Sequence, residues 1–256
     1  MRTIKLTISY DGTNYVGWQV QANGLSVQEL IQRALSRMTG EGIAVIGASR
    51  TDAGVHALGQ VAHFCTGSSI PLEGFARGIN SLLPDDISIV SAEEAGESFH
   101  ANRDAKGKIY LYRLLASCGG APLAQGRCWQ MREPLDLAGM REGAAALVGE
   151  HDFESFRAAG CAAEHSVRRI DRIDIDECAS PDPIFASGDA ASLVEFTFEG
   201  AGFLRHMIRN IVGTLVDVGR GRIEPQDVRR ILGARKREQA GRCAPACGLY
   251  LVKVLY

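Results

Sequence analysis

Residues 50 to 56, Arg50-Thr51-Asp52-Ala53-Gly54-Val55-His56, place a guanidinium and a carboxylate two positions apart on one short polar segment. A carboxylate that stays ionised can act as a nucleophile or as a proton acceptor. A guanidinium nearby favours that charged form and can also hold a phosphate. On residue type alone Asp52 has two readings: it closes a turn by accepting an amide two residues on, or it carries chemistry. His56 and His63 follow closely. Acid–base or metal work is conceivable for both, but a structural histidine satisfied by its surroundings is the commoner case.

The elements that must position this segment can be read around it. The apolar stretch Ile43 to Ala48 predicts a strand entering it, and Gln60 to Thr66 predicts a strand leaving it. Gly54 allows a tight reversal at low steric cost, which would leave Asp52 at the exposed tip. Upstream, Ile4, Leu6, Ile8 and Tyr10 alternate with polar residues over a strand at 3 to 10, ended by Asp11-Gly12, with Asp11 as a turn residue. A loop at Asn14 to Gln19 holds Tyr15 and Trp18. Ser26-Val27-Gln28-Glu29 reads as a capping box opening a helix that stops at Gly40. Downstream come a helix at 72 to 82, a strand at Ile87 to Ala92, and a strand at Lys106 to Ala116 with Lys108, Tyr110 and Tyr112 on one face. The tyrosines there read as core-edge residues with wet hydroxyls. A loop at Gly119 to Pro122, a helix at Leu135 to Val148, and strands at Arg169 to Glu177 and Ser192 to Glu199 around a Pro-Asp-Pro loop follow. The longest helix is expected from Gly202 to Val218, its stripe formed by Leu204, Ile208, Ile211 and Leu215, with Arg205 and Arg209 four apart on one face. A short helix near Pro225 to Leu232 and a closing strand at Leu249 to Tyr256 complete an α+β pattern with two halves, 1–105 and 106–256.

The 256 residues suffice for a sizeable core, and 46% hydrophobic with 23% charged residues is ordinary for a soluble globular protein. The alternating N-terminus is not a signal peptide, and no apolar run approaches a membrane span, so a cytoplasmic protein is expected. Seven scattered cysteines argue against a disulfide framework; Cys243 and Cys247 have no second pair or nearby histidine to complete a zinc site, and no metal is expected. A formal charge of −2 does not by itself suggest nucleic acid. Arginines nevertheless bunch at 168, 169 and 172, at 205 and 209, at 220 and 222, and from 229 to 237, and phosphate binding depends on local basic surface. For the 229 to 237 run alone a solvated helix face is the simpler reading. Gly219-Arg220-Gly221-Arg222 reads as a helix-ending loop, with phosphate contact as the alternative.

The string from Arg50 to His56, with Gly59-Gln60-Val61 and His63-Phe64 behind it, resembles the active-site motif of the tRNA pseudouridine synthase A (TruA) family. The resemblance spans essentially the whole chain, through Lys108-Ile109-Tyr110-Leu111-Tyr112, Ser155-Phe156-Arg157, Val167-Arg168, the segment Phe203 to Gly213, and Gly248-Leu249-Tyr250-Leu251. Ser49, where the family often has glycine, is a mild departure that suits a strand end. The resemblance implies a pseudouridine synthase fold in which two α+β subdomains share a mixed, mostly antiparallel sheet with a central cleft. It implies Asp52 as the catalytic aspartate, Arg209 as the basic residue paired with it, and Tyr110 as the tyrosine stacked on the target base. Leu249 would line the base pocket. Arg50 and Arg205 would meet the RNA nearest the chemistry, with Arg168 and Arg220 farther out along its path and His206 on the RNA-facing side. The substrate implied is the tRNA anticodon stem-loop, at uridines 38–40, and the enzyme implied is a homodimer. Because the isomerisation involves no redox change and no external energy, no cofactor is expected, nucleotide or other. A catalytically silent RNA-binding protein of the same fold is the rival, and a hydrolase using Asp52 is a second; the joint presence of Asp52, Tyr110 and Arg209 speaks against the first, and the absence of an evident second carboxylate against the other.

Overall fold

A computed structural model describes residues 1–117, 120–178 and 192–256. Cys118, part of the loop expected at Gly119 to Pro122, and the Pro-Asp-Pro loop lie outside the described residues. The chain divides into two compact units: Met1–Lys108 together with Tyr250–Tyr256, and Ile109–Leu249. Among the described residues no helix is long and apolar enough to cross a membrane.

The first unit begins with β1 (Arg2–Tyr10), whose alternating burial follows its alternating sequence, with Ile4, Leu6 and Ile8 fully buried. Helix α1 (Val27–Thr39) starts where Ser26 Oγ accepts the Glu29 amide at 3.3 Å and ends at Gly40 in the left-handed conformation (φ 72°). Only half of the expected capping box forms, because Glu29 pairs with Arg33 one turn on and does not reach back. Then come β2 (Ile46–Gly47), β3 (His56–Thr66), α2 (Leu72–Asn80) and β4 (Ile87–Ala95). The entering strand is far shorter than Ile43 to Ala48. The backbone of that stretch bonds instead to side chains of α1: Ile43 N–H donates to Ser36 Oγ, Val45 N–H to Gln32 Oε1, and Gln28 Nε2 donates to Val45 O at 2.7 Å. The leaving strand is longer than expected, starting at His56.

The second unit contains β5 (Gly107–Ala116, two residues of which precede the boundary), β6 (Trp129–Met131), α3 (Leu137–Ala145), β7 (Gly149–Asp152), β8 (Val167–Cys178), β9 (Ser192–Gly200), α4 (Met207–Gly219) and α5 (Asp227–Ala234). The chain closes with β10 (Leu249–Leu255), which belongs almost wholly to the first unit. There the strand order is β4-β1-β3-β10. β1 is antiparallel to both β4 and β3, whereas β10 is parallel to β3, with Tyr250 opposite His56 and Leu251 opposite Ala57. Phe75 of α2 meets Phe64 of β3 edge to face at 5.5 Å, which joins helix to sheet. In the second unit the order is β5-β9-β8-β7, with β6 beside β5.

Helix α4 is the core of the second unit. Every residue from Met207 to Gly219 is buried except Arg209 and Asp217, so Ile208, Ile211 and Leu215 of the expected stripe belong to an almost wholly enclosed helix, while Leu204 lies before it. A Cβ on Gly213 would come within 1.7 Å of Arg242 O, so the segment after α5 can lie against α4 only because residue 213 has no side chain. The helix begins at Met207 and not at Gly202, because His206 has a left-handed backbone (φ 62°) that cannot continue a helical turn. Arg205 therefore lies outside the helix, and the expected i, i+4 relation with Arg209 does not hold.

Candidate active site

The polar segment of the first unit is held from several directions. Ala48 N–H donates to Val61 O of β3 at 2.7 Å, and Asn102 Nδ2 donates to Ala48 O. The buried Gln60 side chain grips Ser49 twice, its Nε2 donating to Ser49 O at 2.7 Å and its Oε1 accepting Ser49 N–H at 3.3 Å. Trp18 N–H donates to Thr51 O at 3.1 Å, and the Tyr10 hydroxyl is hydrogen-bonded to Thr51 Oγ1 at 2.7 Å inside the protein. Gly17 bridges to Asp52 as an isolated antiparallel pair, and Val55 N–H closes the reversal onto Asp52 O. Gly54 has φ 76°, as the turn requires.

Three glycines allow these close approaches. A Cβ on Gly17, itself at φ 111°, would lie 2.5 Å from Thr51 O; one on Gly12 would lie 2.0 Å from Val55 O; one on Gly47 would meet the Trp18 indole at 2.4 Å. The loop carrying Gly12 and Gly17 is anchored in turn. Tyr15 Oη donates to Asp86, Asn14 Nδ2 donates to the other carboxylate oxygen of Asp86, and Asp11 N–H donates to Asp86 O. Burial and the Asp86 carboxylate push the Tyr15 phenol well above its usual range, which keeps it a proton donor. Trp18, 1% exposed, buries on the order of 200 Å² and lies beside the Tyr10 ring at 6.2 Å.

Asp52 is thus half-buried and not at an exposed tip; Ala53 is the exposed residue of the turn, and Arg50 is exposed just before it. His56 and His63 are both buried and structural. The His56 Nδ1 accepts Gly12 N–H at 3.1 Å while its ring stacks on Tyr250, and the His63 Nδ1 accepts Ala101 N–H at 3.1 Å.

The other expected residues lie in the second unit. Tyr110 faces inward on β5, 6% exposed, its ring edge to face with Phe203 at 5.4 Å. Tyr110 is thereby brought next to the segment Phe203-Leu204-Arg205-His206 that leads into α4 and Arg209. That segment is fixed by Ala158 N–H, which donates to Arg205 O at 3.1 Å, and by Asn210 N–H, which donates to His206 O. Arg205 itself is exposed and His206 half-buried. Arg209 Nε donates to Ala244 O at 2.8 Å while Ala244 N–H donates back to Arg209 O at 3.0 Å, so the guanidinium is oriented by a strap across its own helix. Leu249 is buried at the start of β10. Tyr112 has no wet hydroxyl: it is wholly buried, its Oη donates to Pro245 O at 2.9 Å, and burial drives its pKa far upward.

The arginine bunches divide by the partners they hold. Arg168 donates to the carbonyls of His165 and Val167, whereas Arg169 pairs with Asp171 and Arg172 with Asp174 and Glu199. Arg220, expected along an RNA path, has a side chain only 11% exposed and pairs with Glu133 at 2.6 Å. It caps α4, and Gly221 turns the chain at φ 67°, so the glycine-arginine run ends a helix. In the 229 to 237 run, Arg230 pairs with Asp227, Arg235 with Asp152, and Arg237 donates to Asn210, Ala240 and Gly241. Most of these charges are therefore neutralised or structural.

Residue types alone did not point to Tyr10, Gly12, Gly17, Gln60, Asn102, Gly213 or Ala244. The available signal was a loop rich in glycine and aromatics at 12 to 18, since aromatics in a loop need something to pack against. Residues 6–103 and 144–256 match the model of a family described as tRNA pseudouridine synthase. Over the full length of both chains, the sequence is 47% identical to tRNA pseudouridine synthase A of Pelobacter propionicus and 46% identical to that of Geobacter sulfurreducens. It is 45% identical to that of Acetivibrio thermocellus, again across both whole chains. With its braced Arg50-Thr51-Asp52 segment inside the matched region, the chain belongs to the tRNA pseudouridine synthase family.

Proposed function

We propose that the protein isomerises uridine to pseudouridine in tRNA, at positions 38–40 of the anticodon stem-loop, with Asp52 as the reacting carboxylate. The observation that carries this reading is the cradle around Asp52, which fixes the backbone of a half-buried carboxylate from several sides. Such fixation is what a reacting group needs and what a turn-closing aspartate does not.

The reaction breaks the N1–C1′ bond, turns the base and rejoins it through C5. An ionised Asp52 serves it as nucleophile or as base. The base must first leave the stack, and an aromatic ring such as Tyr110 can replace the lost stacking. Arg209, oriented by Ala244, keeps the carboxylate charged and aimed; Arg50 holds phosphate or fills the vacated space. Leu249 lines the base pocket, and Arg205, His206 and Arg168 contact the RNA backbone. The chemistry is redox-neutral and calls for no cofactor. The family resemblance further supports a homodimer working in the cytoplasm; sedimentation of the purified protein should give the mass of two chains, and the mass of one chain refutes the dimer. Mapping pseudouridine in an unmodified tRNA transcript incubated with the protein tests the function. Conversion confined to positions 38–40 is expected, and conversion elsewhere or none at all refutes it.

A further inference from the structure

We propose that Tyr10 and Thr51 form a positioning pair for Asp52, holding the carboxylate in register through one buried hydroxyl–hydroxyl bond. The proposal rests on Asp52 being the reacting carboxylate. The two hydroxyl oxygens are 2.7 Å apart, and the residues are 4% and 7% exposed. Tyr10 ends β1 where the register with β3 shifts between Ile8 and Tyr10, which sets the last residue of the strand apart from the regular ladder. Thr51 is bonded to Asp52 along the chain and is β-branched, so fixing its Oγ1 also fixes its χ1 and, through a stiff side chain, the backbone that carries Asp52. Trp18 N–H holds the Thr51 carbonyl from the other side. Thr51 is thus gripped at both side chain and main chain, which leaves the Cα of Asp52 little freedom.

A hydroxyl pair is not needed for stability alone. Two apolar groups of the same shape would pack about as well, whereas removing one hydroxyl takes this bond away from the other. That asymmetry separates positioning from structural support. Tyr10→Phe, Thr51→Val and the double variant are compared by melting temperature, tRNA Kd and single-turnover rate, with Thr51→Ser and Asp52→Asn alongside. Each single change lowers the melting temperature, and the double variant regains most of it. The rate stays down by about tenfold in all three, with Kd unchanged, because a loop displaced by a fraction of an ångström loses its aim. Thr51→Ser, which keeps the oxygen, recovers most of the rate. A double variant whose rate returns with its melting temperature overturns the proposal, since the pair would then be only structural. If the double variant does not fold, Tyr10→Phe decides alone, assayed well below its melting temperature: full single-turnover rate overturns the proposal. An active Asp52→Asn would instead remove the assignment of Asp52, a separate result.

Discussion

Replacing Gly17 by alanine should damage both stability and catalysis, and the structure sets the size of each effect. The new Cβ would lie 2.5 Å from Thr51 O and 3.1 Å from the Asp52 carbonyl carbon, on a backbone at φ 111°. Placing an L-residue at that φ costs on the order of 1–2 kcal/mol, and relieving the overlap costs about 1–3 kcal/mol more. A loss of about 2–5 kcal/mol is a large part of the stability of an ordinary domain and should show as a clear drop in melting temperature. To reach an ordinary contact the segment must retreat by roughly 0.5–0.9 Å, and since about 1 Å of misplacement can cost 10²-fold, the rate should fall by about tenfold to a hundredfold. The assay is single-turnover pseudouridine formation well below the melting temperature, with tRNA Kd measured on the same preparation. An alanine variant with native melting temperature and native rate would refute the reasoning that Gly17 sets the position of the loop.

Arg209→Lys keeps a charge but loses the planar fork and the Nε–H donated to Ala244 O; the single-turnover rate should fall at least about tenfold with little change in melting temperature. Affinity for tRNA should fall steeply with salt, and Arg205→Ala should weaken binding, whereas Arg220→Ala, removing a guanidinium paired with Glu133, should lower the melting temperature and leave Kd alone. His63 should make the fold acid-sensitive. Burial first, then the neighbouring His100, lowers its pKa, while Arg103 adds to the shift and Ile46 O and Asp104 oppose it. The unfolded chain then takes up the proton first, so the stabilisation is intact above about pH 6.5 and is lost as pH falls below that value. Chemical denaturation between pH 7.5 and 5 should show a slope that His63→Gln flattens.

Much of the fold could be read locally. The alternation of Ile4, Leu6 and Ile8, the Ser26 cap and the Gly40 stop all needed only near neighbours, and all are seen. What escaped was long-range. Ile43 to Val45 has strand-like composition, yet its amides go to side chains of α1, which no strand pattern reveals. The start of α4 was misplaced because a histidine with positive φ leaves no mark on hydrophobic periodicity. The parallel pairing of Tyr250 with His56 joins residues almost two hundred positions apart. For the site, the chemistry-bearing types stood out by themselves, but Gly12, Gly17 and Gly47 matter through the absence of a Cβ. An absent atom becomes meaningful only once the neighbour it would strike is known.

The central claim, that Asp52 performs the chemistry and does not merely close a turn, is tested most directly by Asp52→Asn. This change keeps the size and hydrogen-bonding geometry of the side chain and removes its charge. Single-turnover conversion of uridine in a tRNA transcript should become undetectable, while Kd for the same transcript stays close to that of the unaltered protein, because phosphate contacts supply most of the affinity. A variant that still forms pseudouridine at a near-native rate would contradict the account.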